Sequence, residues 1–270
     1  MLTIRNLKKD FGKKAILKDV SLTLKPGVYG LLGPNGSGKT TLMRCIAGIY
    51  TCEGTIEIPS HIGYLPQKFG AFRELTAYEV LQYFAELKKI PKHMQEDAIN
   101  DCLKNVHLFD RKKDKVKTLS GGMIRRLGVA QAMLGEPQLI LVDEPTAGLD
   151  PEERLRFKNL ISKSRGQSTI LISTHIVEDV DTLCDYIIVL NQGKVICQDS
   201  PENIRKAAEG HVYRLREKEQ AKLVDPYYIL RREQFEGESY LRVLSPVEQE
   251  GICVNPSLED GYMNLIRGEG

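Results

Sequence analysis

Tryptophan is absent from this 270-residue sequence, and aromatic residues together make up 7% of it. An excess of either charge is missing too: 38 basic against 36 acidic side chains leave a formal net charge of +2. Proteins that track a nucleic-acid backbone more often carry a clear basic excess, so direct nucleic-acid binding is not expected. Long apolar runs are also lacking. No stretch approaches the roughly 20 residues needed to cross a bilayer, and the segment Met1 to Lys8 lacks the apolar core of a signal peptide. If the protein works at a membrane, another chain is expected to supply the membrane part. The six cysteines (Cys45, Cys52, Cys102, Cys184, Cys197, Cys253) show no C-x-x-C spacing. That speaks against a zinc site or a disulfide framework and for buried thiols in a reduced cytosolic compartment. The remaining composition, 41% hydrophobic and 27% charged, is ordinary for a globular chain.

What is present centres on Gly33-Pro34-Asn35-Gly36-Ser37-Gly38-Lys39-Thr40, followed by Thr41. It fits the phosphate-loop pattern G-x-x-x-x-G-K-[ST] at every fixed position. Glycines let successive backbone N–H groups point at one phosphate chain. Lys39 can then reach the β- and γ-phosphates, and the Thr40 hydroxyl is placed to ligate Mg²⁺. An apolar run, Val28 to Leu32, reads as a buried strand before the loop. Thr41 to Gly48 reads as a helix whose positive end faces the phosphates. The sequence is expected to bind a nucleoside triphosphate.

Elsewhere, Leu2 to Leu7 and Ala15 to Leu24 alternate like half-buried strands. Between them lies Phe11, for which two readings stand: a packing residue, or a ring that stacks on a base. Gly54 to Ile58 and His61 to Leu65 read as paired strands. From Thr76 the pattern is helical, with a capping box at Thr76–Glu79 and Val80, Phe84 and Leu87 on one face. A second helix carries Ile99, Leu103 and Val106. Residues from about 69 to 134 thus form a helical insertion. It ends in Leu119-Ser120-Gly121-Gly122, readable either as a helix start capped by Ser120 or as a second backbone nest for an anion.

Leu139 to Val142 is a continuous apolar run ending in Asp143 and Glu144, as at the carboxyl end of a buried parallel strand. Asp143 is placed to hold hydrated Mg²⁺ near Thr40, and Glu144 to orient or deprotonate a water aimed at the γ-phosphate. Asp150-Pro151-Glu152-Glu153 is a helix start with Asp150 as its cap. Ser168 to Ser173 is another buried strand, which puts His175 at the mouth of the sheet, in place to hydrogen-bond a γ-phosphate. Tyr186 to Cys197 reads as a hairpin around Asn191-Gln192-Gly193, and Ser200 starts a further helix. Beyond Gly210 short strand-like stretches alternate with charged segments, and a box at Ser257–Asp260 opens a last helix. A domain boundary is placed near Gly210, dividing residues 1–210 from a small accessory domain at 211–270.

Gly33 to Thr40, Gln67, Leu119 to Gly122, Leu139 to Glu144, Ala147-Gly148-Leu149-Asp150 and His175 come in the order and approximate spacing of an ATP-binding cassette. Over roughly Leu2 to Asn203 the chain resembles the nucleotide-binding subunits of ABC transporters. That resemblance implies an α/β P-loop NTPase core with a small antiparallel β subdomain, the inserted helical subdomain and a small C-terminal α+β appendage. It implies an ATPase using ATP and Mg²⁺, with Phe11 stacking on adenine and Gln67 touching both the metal and the attacking water. It further implies that Ser120, Gly121 and Gly122 hold the γ-phosphate of ATP on an opposing subunit, with Asp150 at that dimer interface. Glu144, His175 and Gln67 would be the catalytic set. Two departures stand out: Met123 where the family often has Gln after Leu-Ser-Gly-Gly, and Phe11 where Tyr is more usual.

The implied partners are a separate integral-membrane permease and a second ATPase subunit, identical or related. The implied place is the inner face of the cell membrane, and the job is powering a transporter. The short tail resembles that of bacterial export-type ATPases. An importer subunit, or a soluble cassette protein acting on ribosomes or DNA, is the alternative, although neither tandem cassettes nor a long coiled coil is present.

Overall fold

The computed structural model describes residues 1–70, 72–146, 149–163, 166 and 168–268. Two compact units divide the chain, Met1–Val195 and Ile196–Gly270. The change in sequence texture at Gly210 therefore lies inside the second unit.

In the first unit, β1 (Leu2–Phe11), β2 (Lys14–Leu24) and β4 (Glu53–Glu57) form an antiparallel sheet in the order β2-β1-β4. Its inward residues Leu2, Ile4, Leu7, Leu17, Val20, Leu22 and Leu24 are all buried, as the alternation predicts. The larger sheet runs β5-β6-β7-β3-β8-β9. It contains β3 (Gly27–Leu32), β5 (Ile62–Leu65), β6 (Leu139–Asp143), β7 (Thr169–Thr174), β8 (Tyr186–Asn191) and β9 (Lys194–Asp199). Strands β3, β6 and β7 are buried at every position, and β5-β6-β7-β3-β8 pair in parallel. Each fully buried aliphatic side chain there contributes about 1.5–3 kcal/mol. The continuous apolar runs are what a sheet covered on both faces requires. One expectation is overturned: β4 and β5 do not pair with each other. β4 hydrogen-bonds β1 and β5 hydrogen-bonds β6, so the few residues between them carry the chain from one sheet to the other.

Helix α1 (Lys39–Ile46) follows β3 directly. The insertion contains α2 (Ala77–Leu87), α3 (Lys92–Asn105) and α4 (Gly121–Met133). The capping box at α2 is made in full, with Thr76 N donating to Glu79 and Glu79 N donating to the Thr76 hydroxyl. Val80 and Ala85 are buried, but Leu87 is 59% exposed; the apolar face of α2 does not extend to its last residue. Helices α5 (Pro151–Lys163) and α6 (Val177–Asp181) complete the unit.

The second unit holds α7 (Pro201–Lys206), an antiparallel sheet in the order β11-β12-β10-β13, and α8 (Leu258–Arg267). Its strands are β10 (Val212–Arg216), β11 (Tyr228–Phe235), β12 (Glu238–Leu244) and β13 (Ile252–Cys253). Val212, Leu244 and Ala208 form one small core, and Leu215, Leu241 and Val243 another. α8 packs on α7 so closely that a Cβ at Gly261 would lie 1.9 Å from the Ile204 carbonyl. All six cysteines are free thiols, but only Cys45 and Cys184 are buried and Cys253 is exposed. The expectation of generally buried thiols is thus corrected. Cys253 lies on β13, a two-residue strand pairing with β10, where burial is incomplete.

Candidate phosphate and water-activating site

Parallel strands carry their ligands at their carboxyl ends, and four neighbours in this sheet do so with chemically useful residues. Gln67 follows β5, Asp143 and Glu144 close β6, His175 follows β7, and Gly33 to Gly38 follow β3. Register aligns them: Asp143 lies opposite Ser173, and Leu32 opposite Thr174.

The glycine loop is held tightly. A Cβ at Gly33 would fall 2.2 Å from the Leu190 carbonyl and 2.6 Å from the Ser37 hydroxyl oxygen, so no other residue fits. Gly38 has φ +109° and opens α1 without a side-chain cap, which leaves the first N–H groups of the helix for an anion. Ser37 is buried, and its hydroxyl has no hydrogen-bond partner among the described residues. Lys39 is buried too. Its ammonium donates to the carbonyls of Gly33 at 2.6 Å and Pro34 at 3.2 Å, so it lies within the loop. Burial lowers the Lys39 pKa, and the nearby Glu144 and Asp143 charges oppose that shift.

Asp143 is fully buried. One carboxylate oxygen accepts from the Ser173 hydroxyl and, at 3.3 Å, from the Thr40 hydroxyl. The other is buried, with no hydrogen-bond partner among the described residues. An acceptor-only oxygen left open beside a threonine hydroxyl is costly unless a cation completes it. The donor set fits a hard divalent ion that takes its remaining ligands from phosphate and water, which is how Mg²⁺ is usually held.

Glu144 is 8% exposed and has φ +49°, a left-handed backbone that costs a non-glycine residue about 1–3 kcal/mol. Its N–H donates to both the carbonyl and the hydroxyl of Ser173 at 3.1 Å. Its carboxylate meets Nδ1 of His175 at 2.8 Å. An acid and a histidine are thus brought together beside the phosphate loop.

Gln67 is exposed, and the structure ties down its carbonyl oxygen, which accepts from Arg125 at 2.8 Å. Phe11 is 46% exposed and meets Tyr50 edge-on at 5.3 Å, which leaves ring surface uncovered. Ser120 caps α4, accepting from Met123 N, with Gly121 and Gly122 in the first turn. Asp150 caps α5, accepting from Glu153 N at 2.8 Å. Ala147 and Gly148 of the expected Ala-Gly-Leu-Asp motif lie outside the described residues.

Two residues of the site were not singled out from the sequence. Ser173 is a polar side chain inside an apolar strand, and that interruption was the available signal. Arg125 sits in an Arg-Arg pair on α4 that looks like an ordinary polar helix face. Its guanidinium nevertheless donates to the carbonyls of Pro66, Gln67, Asp143, Glu144 and Pro145, at 2.6–3.1 Å.

Comparisons with known proteins give the family and the fold. The family profile described as ABC transporter matches residues 17–147. The linearmycin resistance ATP-binding protein of Bacillus subtilis is 34% identical over 73% of this chain and 68% of its own. The Nod factor export ATP-binding protein I of Sinorhizobium fredii is 33% identical over 99% of this chain and 86% of its own. Among solved structures, the ATP-binding subunit of an ABC transporter superposes with a TM-score of 0.70 at 26% identity, covering 76% of this chain and 92% of that one. A dimeric ATP-binding cassette in a post-hydrolysis state, bound to ADP and Pi, gives 0.67 at 26% identity, covering 74% and 98%.

Proposed function

Since the chain belongs to the ABC transporter family and is one of its ATP-binding, ATP-hydrolysing subunits, we propose that it powers an exporter by closing on ATP against a second cassette. The observation that carries this reading is the convergence of Lys39, Thr40, Asp143, Glu144 and His175 at adjacent strand ends. The direction of transport is supported by the relative named for Nod factor export, which aligns along nearly the whole chain, second unit included.

In this reading the amides of Gly33 to Thr41 cradle the triphosphate. Lys39 exchanges the carbonyls of Gly33 and Pro34 for β- and γ-phosphate oxygens, a charge-assisted gain over neutral acceptors. Thr40 and Asp143 are the residues that would hold Mg²⁺, whose charge would offset that of the phosphates. Glu144 orients the attacking water and accepts its proton, while His175 holds the carboxylate and lies near the γ-phosphate. Phe11 stacks on the adenine. Ser120, Gly121 and Gly122 present the amino end of α4 to the ATP of the opposing subunit, and Asp150 lies at the joint. Loss of the γ-phosphate removes what binds the two halves, and they part.

Gln67 and the segment after it pass this motion to a separate integral-membrane permease. Among the described residues, no helix is long and apolar enough to cross a membrane. The chain then works on the cytoplasmic face, peripheral to the membrane. Residues 211–270 serve as an accessory domain of the same subunit, and residues 69–134 as its inserted helical subdomain.

The test is to tag the full chain carrying Glu144→Gln, express it in its native cell and purify it in mild detergent with ATP and Mg²⁺. A multi-helix membrane protein in stoichiometric amount is expected. Ribosomal or DNA-associated proteins with no membrane protein would overturn the transporter reading.

A further inference from the structure

α4 lies against the large sheet at unusually close range. A Cβ at Gly63 on β5 would sit 1.9 Å from the Ala132 carbonyl, so α4 and β5 touch backbone to backbone. Gln131 donates to the Tyr64 carbonyl at 2.6 Å, and Lys88 of the C-terminal cap of α2 donates to the carbonyls of Gln131, Ala132 and Leu134. The helix that begins at Ser120 is therefore fixed to the strand leading into Gln67.

Three residues after Gly122, that docking delivers Arg125 to the carboxyl ends of β5 and β6. Nη2 donates to the carbonyls of Asp143 at 2.9 Å and Glu144 at 2.6 Å, Nε to that of Pro145 at 3.1 Å, and Nη1 to those of Pro66 and Gln67. A planar guanidinium carries five N–H donors in a rigid fork, and here five bonds go to backbone oxygens. The chain at Glu144 is held in a left-handed conformation that the residue does not favour by itself. The carbonyl of that same residue accepts the shortest of the Arg125 bonds.

We propose that Arg125 is a positioning residue for hydrolysis. It clamps the backbone of Asp143 to Pro145 to that of Pro66 and Gln67, so that the water-activating acid and the glutamine segment move as one body with the start of α4. The proposal rests on Glu144 being the hydrolytic acid. Arg125 touches neither reacting atoms nor nucleotide in this scheme; it acts through the backbone. A lysine ammonium at the same place has three donors from one point and cannot span both segments.

The experiment compares steady-state ATP hydrolysis by the full chain with that of Arg125→Lys and Arg125→Gln. ATP affinity is measured for each in the Glu144→Gln background, and urea midpoints for all. A misplaced acid is expected to lower kcat about 10–100-fold, with KM and ATP affinity held within about threefold of the parent. Arg125→Lys is expected to be nearly as slow as Arg125→Gln. Turnover within about twofold of the parent in either variant overturns the clamp, as does a parallel loss of kcat, ATP affinity and urea midpoint in both, which marks a purely structural arginine. If Glu144→Gln alone leaves hydrolysis intact, the acid itself is misassigned, and that result is read without reference to Arg125.

Discussion

Nδ1 of His175 lies 2.8 Å from a carboxylate oxygen of Glu144, while the histidine side chain remains 47% exposed and the glutamate 9% exposed. In the tautomer with the hydrogen on Nδ1, the ring donates to the carboxylate and Nε2 is left for another partner. The pair joins a shielded acid to a ring that still reaches solvent. Such an arrangement serves an acid that must take a proton from water while its orientation is held from one side.

Glu144→Gln is expected to lower kcat by at least about 100-fold while ATP still binds, since the amide keeps the shape but loses the basic oxygen. His175→Ala is expected to cost about 10–100-fold and to add little on top of Glu144→Gln, because residues that act as a unit are not additive. A double variant showing the full product of both losses would argue that the two side chains work separately.

Asp143→Asn tests the metal. The buried Asp143 oxygen that has no partner among the described residues becomes an amide nitrogen or a neutral carbonyl, either of which is a poorer ligand for a hard cation. The Mg²⁺ concentration for half-maximal hydrolysis is expected to rise about 10-fold or more. Chelation of divalent ions should abolish turnover in the parent. An unchanged Mg²⁺ dependence would assign the ion to other ligands.

Phe11→Ala is expected to weaken ATP binding by about 1–3 kcal/mol, the range for one base stacked on one ring, and to spare kcat at saturation. Phe11→Tyr should retain the affinity, because Phe11 keeps solvent-facing ring surface and its neighbour Tyr50 is met at the edge. Equal affinity in Phe11→Ala would leave the ring as packing alone, the other reading its sequence position allows.

Much of this architecture is legible in the sequence, and for physical reasons. The loop from Gly33 to Lys39 is legible because phosphate geometry demands those residue types at that spacing. The acids after Val142 are legible because a charge ending an apolar run marks the mouth of a buried strand. Caps at Thr76, Ser120 and Ser257 are legible because their bonds are local. Non-local choices are not. Nothing within Gly54 to Leu65 tells β4 to pair with β1 and β5 with β6, since either partner satisfies the same alternation. Arg125 is hidden for the same reason: its five acceptors are backbone oxygens, which leave no trace in residue type.

The second unit offers a stability prediction that does not depend on nucleotide. Arg242, 5% exposed, meets Asp260, 1% exposed, with Nε donating at 3.1 Å and Nη2 also bonded to the carboxylate. Asp260 accepts from the N–H and hydroxyl of Ser257 as well, completing the cap of α8. Burial alone would raise the Asp260 pKa, but the Arg242 guanidinium and the Ser257 bonds outweigh it and hold the carboxyl below its ordinary value. The fold thus favours the carboxylate. The stabilisation is present above the unfolded pKa of about 3.9 and fades as pH falls through the lower folded value. Asp260→Asn is therefore expected to flatten the loss of urea stability between about pH 5 and pH 2. Arg242→Ala at neutral pH leaves a buried charge without its partner and is expected to cost about 3–5 kcal/mol. The two variants separate the possible causes. Equal acid slopes in Asp260→Asn and the parent would mean that other carboxylates govern the acid limb, and a small loss in Arg242→Ala would mean that water reaches Asp260 once the guanidinium is gone.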